Sequence, residues 1–302
     1  MRQFEVKTKK IFILKTVLGI SLLVGAGYVF SSSNAYAANG QLLGQWKFDE
    51  VVAGSVAVDS IGNNNALPTN DPVPSLVVAP VNFFNPRSAS FDGSNYFTIN
   101  RPASTDFTIC AWVKTTSTGG GTEHWTSAPI MDSETGGVDY DFGFGVGNGG
   151  RLMFGNGGDD VVSGGLYDAQ INGTTPINDD AWHNVCVTRN NTTGLVSLYV
   201  DAMLDGSGIT GVGPLTSNPN ARIGYGYDGA ALFEGNIDDV RVYDTDLTPE
   251  QLGVLADGGD DPINPVIISP PQVQGPQVVG VPNTGIRPKN LQLSLDFLKI
   301  WR

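Results

Sequence analysis

Short runs rich in β-branched and aromatic residues, each broken by Gly, Asn or Asp, recur along this chain from residue 42 to residue 244. They include "LLGQWKF", "SASFDG", "YFTIN", "FTICAWVKT", "YDFGFGV", "RLMFGN", "WHNVCVTR", "LVSLYVDA", "ARIGYG" and "IDDVRVYD". Strands at this spacing, with turn residues between them, predict an all-β sandwich or barrel. Glycine is abundant, 39 of 302 residues, and no stretch after residue 37 shows a sustained helical period with caps. A span of about 220 residues exceeds one immunoglobulin-like domain and suits one large jelly roll of two antiparallel sheets.

Alternation shows which way the strands face. In "FTICAWV", Phe107, Ile109, Ala111 and Val113 share one face, and Thr108, Cys110 and Trp112 the other. In "WHNVCVTR", Val185 and Val187 lie opposite Trp182, Asn184, Cys186 and Thr188. The only two cysteines therefore sit alike, each on the more polar face of its strand beside a tryptophan. Taken alone, this leaves open free thiols, metal ligands or a cross-strand pair.

The N-terminus bears on that choice. Arg2, Lys7, Lys9, Lys10 and Lys15 precede or enter the apolar run "IFILKTVLGISLLVGAGYVF", and Ala35-Tyr36-Ala37 follows it. A basic region, an apolar region and an Ala-x-Ala site predict a secretory signal peptide over 1–37, hence a secreted or cell-surface protein in an oxidising environment. The whole chain has a net charge of −13; its first 37 residues carry five basic residues and one acid, so the remainder stands at −17. Such a chain is a poor partner for nucleic acid or anionic membranes, which need clustered Lys and Arg. Divalent cations and neutral ligands such as glycans remain compatible.

Taken in order, "GQWKFDE", "DSIGNNNAL", "SASFDGSNYFTI", "FTICAWVKT", "WHNVCVTRN", "VSLYVDA" and "FEGNIDDVRVYDTDLTPEQL" resemble the laminin-G-like jelly roll of the concanavalin A-like superfamily. The resemblance covers about 40–257. It departs at Ala202, where the family usually has glycine in the turn after "LYVD". Pentraxins share the sandwich, and their intrachain disulfide joins an F-T-V-C-type strand to an H-I-C-type strand. "FTIC" and "HNVC" occupy the same places, so the resemblance implies a Cys110–Cys186 disulfide. The domain order is then signal peptide 1–37, jelly roll 38–257, and a Pro/Gly-rich tail 258–302.

Laminarinase-type hydrolases of the superfamily carry their carboxylates on one strand as E-x-D-x-x-E. Nothing here has that spacing, and no G-x-S-x-G elbow is present. His124 lies in a glycine-rich loop, and His183 belongs to the family's strand pattern. The expectation is a chain without catalytic residues.

Calcium is the expected cofactor, because oxygen-rich loops suit a hard cation. The resemblance implies a structural calcium on the aspartate of the last strand, which Asp238 matches in "IDDVRVY". Asp49 in "WKFDE" and Asp59 in "DSIGNNN" are its expected companions, although each also reads as a turn cap. Alternation puts Asp238 in register with Val240 and Val242, and Asp239 on the opposite face with Arg241 and Tyr243. The resemblance implies that Asp238 is the acid facing inward or towards the sheet edge. The pentraxin likeness implies a second, ligand-contacting calcium near Asp139, Asp141 and Asp228. Tyr140, Tyr225 and Tyr227 lie close to those acids in sequence and are of a type that stacks on sugar rings.

After Asp257 the chain reads as an extended Pro/Gly/Gln/Val linker. "VPNTG" at Val281–Gly285 resembles a sortase signal, but the segment behind it is short and only partly apolar. Membrane contact is expected only through this tail. The reading is thus a non-catalytic binding module for glycans or another surface protein. A structural adhesin or spacer domain without a pocket, and a carbohydrate-active enzyme, are the alternatives.

Overall fold

The computed structural model describes residues 40–264 apart from 138, 161, 227–228 and 230–231. The expected signal peptide and the VPNTG motif lie outside the described residues. Among the described residues there are fifteen strands. The first five are β1 (Leu42–Trp46), β2 (Leu67–Thr69), β3 (Val73–Ser75), β4 (Ser88–Asp92) and β5 (Tyr96–Asn100). Next come β6 (Phe107–Thr115), β7 (Ala128–Asp132), β8 (Phe142–Val146), β9 (Arg151–Asp159) and β10 (Leu166–Pro176). The last are β11 (Trp182–Arg189), β12 (Leu195–Val200), β13 (Met203–Ile209), β14 (Asn220–Ile223) and β15 (Glu234–Tyr243), followed by the helix α1 (Pro249–Ala256).

The strands form two antiparallel sheets, as the sequence predicts. One is ordered β13-β12-β11-β6-β15-β4-β3, with β1 also on β15; the other is β10-β9-β8-β7-β14-β5-β2. The inner faces meet in one apolar core that holds Phe107, Ile109, Ala111 and Val113 of β6 with Val185 and Val187 of β11. Phe107 of the first sheet packs at 5.6 Å and 6.1 Å, ring centre to ring centre, on Phe142 and Phe154 of the second.

On the outer face of the first sheet, Cys110 and Cys186 stand opposite each other in the β6–β11 register and are bridged. A second apolar cluster covers the bridge, with Leu247 and with Leu252 and Leu255 of α1. This helix escaped the pattern reading because it is only eight residues long. Its start signal was nevertheless present: Thr248 and Gln251 form a reciprocal capping box, with Pro249 at the first position. The packed chain also runs past Asp257, the boundary read from the sequence, to the buried Ile263.

The strand β15 is the hinge of this sheet. Its first half pairs with β4 and its second half with β1, while β6 runs along its other side. At the changeover the β6 register shifts between Asp238 and Arg241, and Asp239 takes a φ of 44°. This bulge moves the alternation by one residue. Asp238 consequently shares the outer face with Arg241 and Tyr243, not the inner face with Val240 and Val242.

Between β12 and β13, Asp201 and Ala202 both have positive φ, 50° and 64°, as a two-residue hairpin turn of the right twist demands. The alanine departure thus costs left-handed strain rather than the turn itself. Ala202→Gly is expected to raise stability by up to about 1 kcal/mol in urea denaturation; a loss would show that the turn carries no strain. Replacing both cysteines by serine opens a loop of 76 residues. It should lower stability by roughly 4 kcal/mol at most, with the sandwich still folding by circular dichroism.

Candidate functional site

The second sheet buries Phe142, Phe144 and Phe154 inward, so the residues between them face outward. One register row crosses this outer face through Gln170, Gly155, Gly143, Asp132, Arg222 and Thr98. The adjacent glycines leave a trough, and the loop 116–127 lies down in it. A Cβ on Gly155 would collide with the His124 imidazole, and one on Gly143 would press on its edge at 3.2 Å. His124 Nε2 meets Glu134 Oε2 at 3.1 Å, both side chains buried. The His124 amide donates to Gln170 Oε1 at 2.9 Å, and Gln170 Nε2 donates to the Thr122 carbonyl at 2.6 Å. Sequence reading noted His124 only as part of a glycine-rich loop. The alternating glycines of "FGFG" and "FGNGG" were the available signal that something packs against this face.

Acids gather beneath the loop. Burial pushes the Asp132 carboxyl well above its ordinary value, although the Glu134 amide donates to it. Burial also raises Asp141 to about 6, against the bonds from the Thr135 amide and hydroxyl, each at 2.7 Å. Beside Asp132 on the row, Arg222 lies over the stacked rings of Tyr96 and Tyr225, whose centres are 4.7 Å apart.

Next to the loop opens a groove of about 360 Å³. It is lined by Thr122, Asn148, Arg151, Met153, Gln170 and Asn172 among others, and its lining contains no carboxylate. The turn at its rim carries Gly149 and Gly150 at φ 73° and 71°, conformations that suit glycine.

The predicted calcium ligands fall elsewhere. Asp139 accepts from Ser217 Oγ and the Tyr140 amide, bonds that hold its carboxyl below the ordinary value. Asp141, two residues on, is tied to Thr135 instead. The Tyr140 hydroxyl donates to Asp159 Oδ1 at 2.7 Å, which makes it a strut between loops rather than a free sugar platform. Tyr227 and Asp228 lie outside the described residues. Asp59 accepts from the amides of Gln45, Ile61 and Asn64 and caps its own turn; Asp49 accepts from the Arg87 amide. Asp238 is fully buried and accepts from the Ala79 amide at 3.0 Å and Asn85 Nδ2 at 2.8 Å.

Asp238, Asp49 and Asp59 therefore do not form one ligand set. Among the described residues no group of three or more His, Cys, Asp or Glu side chains is arranged to hold a metal ion. Around Asp238, two buried oxygens stay without a hydrogen-bond partner, Asp238 Oδ1 and Asn85 Oδ1. Calcium takes six to eight oxygens, and Asp238, Asp49 and Asp59, each tied to its own partners, do not converge on such a set. A proton suits this carboxylate better, since burial penalises its charged form.

The chain belongs to the concanavalin A-like lectin/glucanases superfamily, whose laminin-G family model matches residues 91–253. Over 96 residues it is 30% identical to the rat "Sushi, von Willebrand factor type A, EGF and pentraxin domain-containing protein 1", and 29% identical to the mouse protein of that name. Each match covers 29% of this chain and 3% of the relative. Among solved structures it is similar to domain 4 of AbnA, an extracellular arabinanase of Geobacillus stearothermophilus, in complex with arabinotriose. That likeness has 21% identity and a TM-score of 0.48, over 72% of this chain and 98% of the other. A pentraxin of Limulus polyphemus is similar at 20% identity and a TM-score of 0.41, over 55% and 80% of the two chains.

Burial raises the folded-state Asp238 carboxyl to about 8, against about 3.9 in an unfolded chain. The folded protein then binds the extra proton, so this contribution is complete below about pH 4 and fades as pH rises towards 8. Asp238→Asn, which mimics the protonated acid, should flatten the fall of urea-denaturation stability across that window. An equal loss at every pH would show that the carboxylate is ionised.

Proposed function

We propose that this chain is an exported, non-catalytic binding module whose outer-face groove holds an uncharged glycan. The leader 1–37 is removed on export, and the chain beyond residue 264 acts as a spacer. The groove carries the reading. Its lining offers amide and hydroxyl groups, one guanidinium and an apolar thioether, the mixture that a polyhydroxylated ring can meet with hydrogen bonds and with its apolar face. Membership of a superfamily of lectins and glucanases supports carbohydrate as the ligand class.

Binding is favoured over hydrolysis by where the acids lie. Glycoside cleavage needs two carboxylates flanking the scissile bond. Asp132 and Glu134 are buried beneath the loop 116–127, and the groove itself presents neither. The same chemistry argues for a neutral ligand, because residues 38–302 carry a net charge of −17 that repels polyanions. Since the groove residues are hydrogen-bonding amides and a guanidinium, binding should not depend on calcium.

A glycan array, probed in chelator and again in millimolar calcium, tests the reading. Neutral oligosaccharides should bind equally in both conditions. Asn172→Ala should then weaken the best of them by about tenfold, the loss of one or two hydrogen bonds, with an unchanged melting temperature. No glycan bound, or binding only with calcium, overturns it; the first outcome leaves a spacer domain or a protein-binding surface.

A further inference from the structure

Asn-Gly pairs begin at residues 39, 148, 156 and 172 of the chain. In such a pair the glycine amide, once deprotonated, can attack the asparagine Cγ, because no Cβ on the glycine hinders the approach. The last three pairs lie within the described residues, in unlike surroundings. Asn156 is fully buried in β9, and its Nδ2 donates to the Gly157 and Gly211 carbonyls at 2.8 Å and 2.9 Å. Asn172 is exposed but stands in the β9–β10 ladder opposite Met153, and Gly173 packs on the Asp205 carboxylate. Both backbones are held extended and must open locally before the attack.

Asn148 is held in neither way. It is exposed in the tight turn between β8 and β9, where Gly149 and Gly150 take φ of 73° and 71°. The Gly150 amide donates to the Gly147 carbonyl, whereas among the described residues no group accepts from the Gly149 amide. That amide has a cation beside it. A Cβ on Gly149 would lie 3.3 Å from Arg151 Nη1 and would meet nothing but this guanidinium. Arg151 is itself anchored, its Nε donating to the Thr174 carbonyl at 2.9 Å. A fixed positive charge at this range favours the deprotonated amide.

We propose that Asn148 is a site of spontaneous deamidation, promoted by Arg151, that places a carboxylate in the groove. The Gly149 nitrogen gives its proton to a solvent base and bonds to Asn148 Cγ. The Cγ–Nδ2 bond then breaks, and Nδ2 takes a proton from solvent and leaves as ammonia. Water opens the cyclic imide at either carbonyl, giving an aspartyl residue or an isoaspartyl linkage at position 148. The new charge faces Arg151 in a groove whose lining otherwise contains no carboxylate. Pairing between the two takes the guanidinium away from a neutral ligand.

Peptide mass spectrometry of the full chain, incubated in mildly alkaline buffer with and without urea, tests this. In urea the three pairs should convert alike. In the folded chain Asn148 should convert on the order of tenfold faster than Asn156 or Asn172. Arg151→Gln should slow that folded-state conversion about threefold and leave the rate in urea unchanged. Equal conversion at the three sites of the folded chain, or conversion at Asn148 that Arg151→Gln does not slow, overturns the proposal. The effect on affinity rests on the glycan reading and is measured apart. The aged chain should bind the best neutral glycan about threefold more weakly than Asn148→Gln aged alike; equal binding overturns the effect on the groove. A chain that binds no glycan overturns the glycan reading, while the mass spectrum still decides the modification.

Discussion

The strand β6 is buried on both faces, and much of the rest of the molecule answers to that. Its inward residues Phe107, Ile109, Ala111 and Val113 build the core with the second sheet. Its outward residues Thr108, Cys110 and Trp112 are equally shielded. A sheet dry on both sides needs a cover for its outer face. The helix α1 covers the disulfide end, and the stretch that supplies Ala79 and Asn85 covers the other, at Asp238. The bridge staples β6 to β11 under this lid, where no solvent reaches it. Covering also explains why Asp238 carries a raised pKa, since its carboxyl lies under a lid in a bulge that turned it outward.

Acidity in this domain has several physical meanings that net charge does not separate. Asp59 and Asp139 are caps held by backbone and hydroxyl donors. Asp239 pairs with Arg241 and accepts from Gln45, which ties β15 to β1. Asp132 is dehydrated beneath a loop, and Asp141 is buried against Thr135. Each of these uses satisfies a carboxylate locally, and none leaves several carboxylate oxygens converging on one point, which is what a calcium site requires.

The outer face of the second sheet is organised by absence. Gly143 and Gly155 remove two side chains from the middle of a β-sheet, and the space is taken by a histidine from a loop. That histidine fixes the loop, the loop builds one wall of the groove, and Gln170 ties the loop to β10. The candidate binding surface is thus rigid where it meets the sheet and polar where it meets solvent, a combination suited to holding a hydroxyl-rich ligand.

Much of this was legible in the chain itself. Period-two alternation around "FTICAWV" and "WHNVCVTR" decided which side chains form the core, because a pleated strand allows no other assignment. The resemblance to the pentraxin strands implied the disulfide that the structure contains. Three things needed the tertiary structure. The bulge at Asp239 arises where β15 exchanges β4 for β1, a change of neighbour that no local pattern encodes, and it reverses the predicted facing of Asp238. The partners of Asp49, Asp59 and Asp139 are backbone groups and a serine, so turn geometry rather than spacing decides their role. The groove joins Thr122, Arg151 and Asn172 from a loop and two strands, and residues separated by loops meet only once register is set by long-range pairing. Alternation is a property of one strand and can be read from it; a site is a property of several, and only folding brings them together.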